Sequence, residues 1–210
     1  MLANNHNTSR CEGIRVVHFT PGNEIPKEDL KPGDFILTHG NTFYSYLIRF
    51  GQGIRFYGVD RKYTWWNHAA MITSVDGELV EALGPGVEQT NISRYKETDY
   101  HLIQLGSLAD EHDRQQVVEF AKWCLGEQYG WVTILSIAIG LIMGGKFKFG
   151  FDGQQICSGL VARALERTDA IFDRSPSHIM PADLAKYFSV EPPPKGSSKG
   201  TIPKYRRPRD

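Results

Sequence analysis

Apolar and polar positions fall into short strand-like runs in the first half of the chain and helix-like runs in the second. "KPGDFILTHG" (31 to 40) opens on a Pro-Gly turn and continues as an apolar run, which predicts a strand. "NHAAMITSVDGELVEAL" (67 to 83) holds two such runs around Asp76-Gly77 and predicts a hairpin. "YHLIQL" (100 to 105) predicts another strand, and "YSYLIRFGQGIRFYG" (44 to 58) a short helix broken by Gly51 and Gly53. Residues 1 to 30 show no clear period and predict an irregular lead-in.

Helical periods come later. Ser107 and Asp110 have capping-box spacing ahead of "HDRQQVVEFAKWCLG". In that segment Val117, Phe120, Ala121, Cys124 and Leu125 share one face, which makes Cys124 a core residue, and Gly126 suits the stop. "QQICSGLVARALE" (154 to 166) places Cys157, Leu160, Val161, Ala164 and Leu165 on one continuous inward face. "GGKFKFGFDG" (144 to 153) alternates and suits a hairpin. The chain therefore divides into a lead-in (1–30), one α+β domain (31–190) and a Pro/Gly/Ser-rich basic tail (191–210), read as disordered.

Composition narrows the function. With 210 residues, 40% of them hydrophobic, one domain with a sizeable core is expected. Net charge is zero, but from Lys195 onward there are six basic residues and one acidic, which leaves 18 basic and 23 acidic in the body. A negative body argues against nucleic acid as partner. Three cysteines without a CxxC pair argue against a disulfide framework and a zinc site. No secretory signal is visible, so the reading is a soluble protein, cytoplasmic or exported by another route. The longest apolar run, 131 to 143, has 13 residues, fewer than the ~20 of a membrane-spanning helix.

Cys157 stands at the head of its helix, where free N–H groups and the positive dipole end favour a thiolate and can hold an oxyanion. Ser158 and Gly159 follow as candidate substrate-binding residues; Gly159 allows close approach of substrate or backbone. A nucleophile needs a base. His68 begins an apolar strand directly after "YTWW", and Glu81 lies inside "ELVEAL", where an unpaired carboxylate is unfavourable. Glu81 is the natural partner to hold one imidazole nitrogen while the other faces the thiol. Geometry resists this. A two-residue turn at Asp76-Gly77 sets Glu81 opposite Ile72, roughly 13 Å along the strand from His68. A bulge, a longer turn or strong coiling has to close that gap.

"PGDFILTHG", "NHAAMITSVDGELVEA" and "ICSGLVARAL" together resemble the NlpC/P60 superfamily of papain-like cysteine peptidases and amidases. PGD and His68 precede Cys157, an order similar to the circularly permuted branch that includes the YaeF/YiiX-like amidases and the lecithin:retinol acyltransferase-like enzymes. The likeness spans roughly residues 31 to 185. It implies a permuted papain-like α+β fold, a small antiparallel barrel-like sheet packed with helices, and roles for Cys157 as nucleophile, His68 as base and Glu81 as orienting residue. The third place is often histidine in such enzymes, and the His68-to-Glu81 spacing is one residue longer than is common.

Under that likeness the expected reaction is hydrolysis of an amide through a thioester, in a peptide such as a cell-wall stem peptide, with no cofactor and no metal. Trp65, Trp66 and Tyr129 are candidates for an aromatic groove wall, with core packing as the alternative for at least one tryptophan. His39 is a groove residue or a polar strand end; His178 lies too close after Cys157 to serve an unpermuted order. Two other functions fit the same residues. One is acyl transfer from lipid, with peripheral membrane contact through 131–143 and the basic tail. The other is an inactive binding or structural module.

Overall fold

A computed structural model describes residues 13–22, 25–40, 43–83, 86–129, 154–155 and 157–193. Its centre is a six-stranded antiparallel sheet: β1 (Arg15–Phe19), β2 (Phe35–Thr38), β3 (His68–Ile72), β4 (Glu78–Leu83), β5 (Gly86–Asn91) and β6 (Tyr100–Gln104), in spatial order β1-β6-β2-β3-β4-β5. Around it stand α1 (Phe43–Arg55), α2 (Glu111–Trp123), α3 (Cys157–Leu165) and α4 (Pro181–Tyr187). A short parallel pair joins β7 (Gln128–Tyr129) to β8 (Gln154–Gln155). Among the described residues β1 and β5 are the outermost strands and do not pair with each other, so the sheet is open rather than a closed barrel.

The central strands are apolar on both sides because both sides are covered. Phe35, Leu37, Ala69, Met71, Val80, Ala82 and Ile103 face one core, shared with α3 and α4. Ile36, Ala70, Ile72, Leu79 and Leu102 face a second, closed by Phe19, Tyr95 and Tyr100. The expected inward face of α3 is buried throughout: Cys157 is 1% exposed, and Leu160, Val161, Ala164 and Leu165 not at all.

The Pro-Gly turn ahead of β2 has a structural task. Gly33 takes φ +90° and donates to the Ile72 carbonyl at 2.8 Å. Asp34, fully buried, accepts from the Leu105 N–H at 3.0 Å and from Arg114 of α2 at 2.8 Å. Burial raises its carboxyl pKa, and these two donors oppose that rise. The ion pair thus ties β2, the end of β6 and α2 together.

Several expectations need correction. The lead-in contains β1, an edge strand whose Val16 and His18 remain exposed, which hides its period. β5 adds a sixth strand that no apolar run announces. Gly51 and Gly53 do not break α1, because its inner face (Ser45, Ile48, Gln52) packs on the domain and offsets two glycines at about 1 kcal/mol each. The capping box of α2 pairs Asp110 with Asp113 instead of Ser107 with Asp110, since Gly106–Leu108 forms a 3-10 turn first. Val117, Ala121 and Cys124 are buried as expected, but Leu125 lies past the helix end and is exposed. The stretch 131–143, the hairpin at 144–153 and residues 194–210 lie outside the described residues.

Candidate active site

Site construction begins with the segment that delivers His68. Trp66 donates its indole N–H to the Val190 carbonyl at 3.0 Å, and its own carbonyl accepts from Gln52 of α1 at 2.9 Å. Asn67 bonds Gly40 in both directions, with its Oδ1 2.6 Å from the Gly40 N–H and its Nδ2 2.9 Å from the Gly40 carbonyl. His68 therefore enters β3 from a pinned backbone, opposite Thr38.

Hairpin register brings Glu81 to it. Thr73 and Glu78 close the turn through a 2.8 Å backbone bond, leaving a four-residue loop, Ser74 to Gly77. Met71 then faces Val80 and Ile72 faces Leu79. Glu81 consequently stands opposite Ala70, a diagonal neighbour of His68 on the same sheet face, within reach of long side chains. The longer turn cuts the four-residue offset that a tight turn would impose to two residues.

His68 Nε2 lies 2.6 Å from Glu81 Oε2. The Glu81 carboxylate is fully buried and also accepts from the Thr90 hydroxyl at 2.5 Å and from the Tyr95 hydroxyl. Burial opposes its ionisation, but the bond and charge of His68, then Thr90 and Tyr95, hold the carboxyl below its usual range. Burial likewise opposes charge on His68. The Cys157 sulfur, its largest favourable neighbour, and Glu81 outweigh burial and raise the imidazole from its ordinary 6.5 to about 10. Tyr95 stacks beside the His68 ring at 6.3 Å between centroids. Burial and the neighbouring carboxylate keep its hydroxyl protonated, and therefore a donor.

With Nε2 engaged by Glu81, Nδ1 is the ring nitrogen left to interact with the Cys157 sulfur, which raises the His68 pKa. Cys157 is the first residue of α3, where the leading N–H groups have no partner within the helix. The structure thus brings Cys157, His68 and Glu81 into one chain of contacts. Thr90, Tyr95, Asn67 and Gln52 complete it, and sequence reasoning missed all four. Thr90 and Tyr95 come from β5 and the 3-10 turn after it, and only the β4–β5 pairing could have pointed to them.

The expected substrate-binding residues fare differently. Trp66 is fully buried and packs on His101, so it is core rather than groove wall. Ser158 is also fully buried and donates to the Ile179 carbonyl at 2.7 Å; Gly159 is buried beside it. Successive helical residues turn by about 100°, which points both away from the Cys157 side and into the packing of α3. Trp65 is half-buried and stacks on His39 at 4.2 Å, and His39 Nδ1 meets the Trp65 carbonyl at 2.6 Å. His178 ends a 3-10 turn on the surface. Tyr129 contributes its backbone to β7, and its side chain lies outside the described residues.

A cavity of about 420 Å³ opens between α1 and α4, lined by Arg55, Phe56, Asp183 and Tyr187 among others. None of the three site residues borders it, so it is separate from the thiol. Among the described residues no three His, Cys, Asp or Glu side chains are grouped as a metal site requires. Neither a protein-family model nor a curated protein matches the chain.

Proposed function

We propose that the protein is a cysteine hydrolase of the circularly permuted NlpC/P60 kind, cleaving an amide through a thioester intermediate. The observation that carries this reading is the Glu81–His68–Cys157 chain, in which a buried carboxylate with three donors supports an imidazole whose other nitrogen meets a helix-head sulfur. A core cysteine needs no such partner. The raised His68 pKa favours an imidazolium beside the Cys157 sulfur before substrate arrives.

In the first step the Cys157 sulfur adds to the carbonyl carbon, and the oxyanion takes hydrogen bonds from the leading N–H groups of α3. The tetrahedral species then breaks its C–N bond as His68 gives its proton to the leaving amine, which leaves a thioester. Neutral His68 next takes a proton from water, whose oxygen attacks the thioester; release of the acid restores the ion pair. Glu81 keeps the ring oriented and balances its charge throughout. By the resemblance, the substrate is a peptide amide of the cell-wall stem type.

The test is iodoacetamide labelling across pH, read by mass spectrometry at Cys11, Cys124 and Cys157, in wild type and His68→Ala. Labelling of Cys157 that outpaces Cys11 and Cys124, and that His68→Ala abolishes, supports the reading. Labelling of Cys157 no faster than Cys11, or none in the folded protein, sinks it in favour of a binding module.

A further inference from the structure

Helix α1 carries two apolar stripes, and the fold uses only one. The inner side, with Ile48 and Gln52, is buried, and Gln52 clamps the backbone ahead of His68. The outer side places Tyr46, Phe50 and Ile54 on successive turns, 58%, 55% and 40% exposed; the chain leaving the helix adds Tyr57 and Val59 at 82% and 85%. From Tyr46 to Ile54 this ridge is about 12 Å long. Single exposed apolar residues are ordinary, but a row along one helix edge and its following turn is not. Gly53, also exposed on this side, has nothing within 4 Å of the position a Cβ would take.

Charge identifies the occupant. Arg49 lies exposed between Tyr46 and Phe50, and exposed Arg61 follows Val59. Among the described residues neither makes an ion pair, whereas Arg55, Lys62 and the nearby acid Asp60 are already bound to Asp183, Glu191 and Lys186. The unpaired charge on the ridge is therefore positive. Tyrosines and phenylalanine between arginines are the composition of a helix that lies in a lipid headgroup layer. With 13 residues α1 is too short to cross a bilayer, so the contact proposed for it is peripheral.

We propose that the outer face of α1 and the turn after it dock on an anionic lipid bilayer. Tyr46, Phe50, Ile54, Tyr57 and Val59 enter the headgroup region, and Arg49 and Arg61 meet lipid phosphates. The proposal is independent of the thiol chemistry, so Cys157→Ala should bind vesicles as the wild type does.

The experiment is co-sedimentation of the full chain with vesicles of equal parts phosphatidylcholine and phosphatidylserine, beside vesicles of phosphatidylcholine alone. Wild type should prefer the anionic vesicles and lose binding as salt rises. The pairs Phe50→Glu/Ile54→Glu and Arg49→Glu/Arg61→Glu should each weaken binding about tenfold or more, with unchanged circular dichroism and thermal unfolding. Three results would overturn the proposal. One is indifference of the wild type to vesicles. The second is binding that survives both pairs and vanishes when residues 195–210 are removed. The third is a dimer in sedimentation velocity that Phe50→Glu dissolves without any vesicle binding, which would give the ridge to a second copy of the chain.

Discussion

His68 and Glu81 are held 2.6 Å apart although they do not face each other across the hairpin. Glu81 stands opposite Ala70, two residues further in, and reaches back diagonally along one sheet face. That offset lets the same carboxylate take Tyr95 and Thr90 from the far side while Nδ1 of the ring remains available to Cys157. Each partner can be tested separately.

Glu81→Gln keeps the shape and removes the charge. Amide cleavage should fall about 10²- to 10⁴-fold, as when a triad carboxylate is neutralised. The alkaline limb of the pH–rate profile should move to lower pH, because Glu81 helps raise His68. A rate within a few-fold of wild type, with intact circular dichroism, would remove Glu81 from the mechanism.

Tyr95→Phe retains the ring against His68 but withdraws one donor from a buried carboxylate. Urea unfolding should show a loss of about 1.5–3 kcal/mol, the range for a hydrogen bond to a charged group. With the ring less firmly supported, kcat should fall while KM stays put. If stability and kcat are both unchanged, the hydroxyl has no positioning role.

The stability contributed by His68 with its partners Cys157 and Glu81 has a defined pH window. The folded pKa of His68 lies above its ordinary value, so its contribution is complete below pH 6.5 and is lost progressively as pH rises through about 10. The Glu81 value is depressed, so its contribution is complete above 4.5 and is lost as pH falls through the folded value. The stability difference between wild type and His68→Ala in urea should therefore be larger near about pH 6 than near about pH 9. A difference that grows with pH over that interval would contradict the assigned direction.

Gly77 sets the turn that sets the register. Its φ is +81°, its carbonyl accepts from the Ile92 N–H at 2.8 Å, and an added Cβ would come within 2.6 Å of Ile92 Cγ2. Gly77→Ala should lower stability by about 1–3 kcal/mol through backbone strain and that clash, and should reduce the rate as the hairpin shifts. An unchanged melting temperature would show that the turn does not constrain the strands.

Much of the scaffold was legible in local pattern. The period of "CSGLVARAL" placed Cys157 at a helix head and named the buried face of α3, and alternation around Asp76-Gly77 announced the β3–β4 hairpin. Cues failed where burial and local sequence diverge. The edge strand β1 shows no clean alternation because its outer positions meet solvent, and α1 tolerates two glycines because its inner face is packed. Trp66 looked available as a groove wall, yet the Val190 carbonyl, 124 residues away in sequence, draws its indole into the core.

What the sequence by itself determined is the central strands β2, β3, β4 and β6, the helices α2 and α3, and the candidate pair, Cys157 and His68. Those follow from periods of 3.6 and 2 that each segment carries alone. What only the tertiary structure decided is the company those residues keep: the four-residue loop that brings Glu81 two positions nearer His68, and the Thr90 and Tyr95 hydroxyls that make a fully buried carboxylate tenable. The physical reason is range. Helix and strand periods are written in neighbours, whereas register, desolvation and hydrogen-bond partners are set by strands that meet only when the sheet closes over its core.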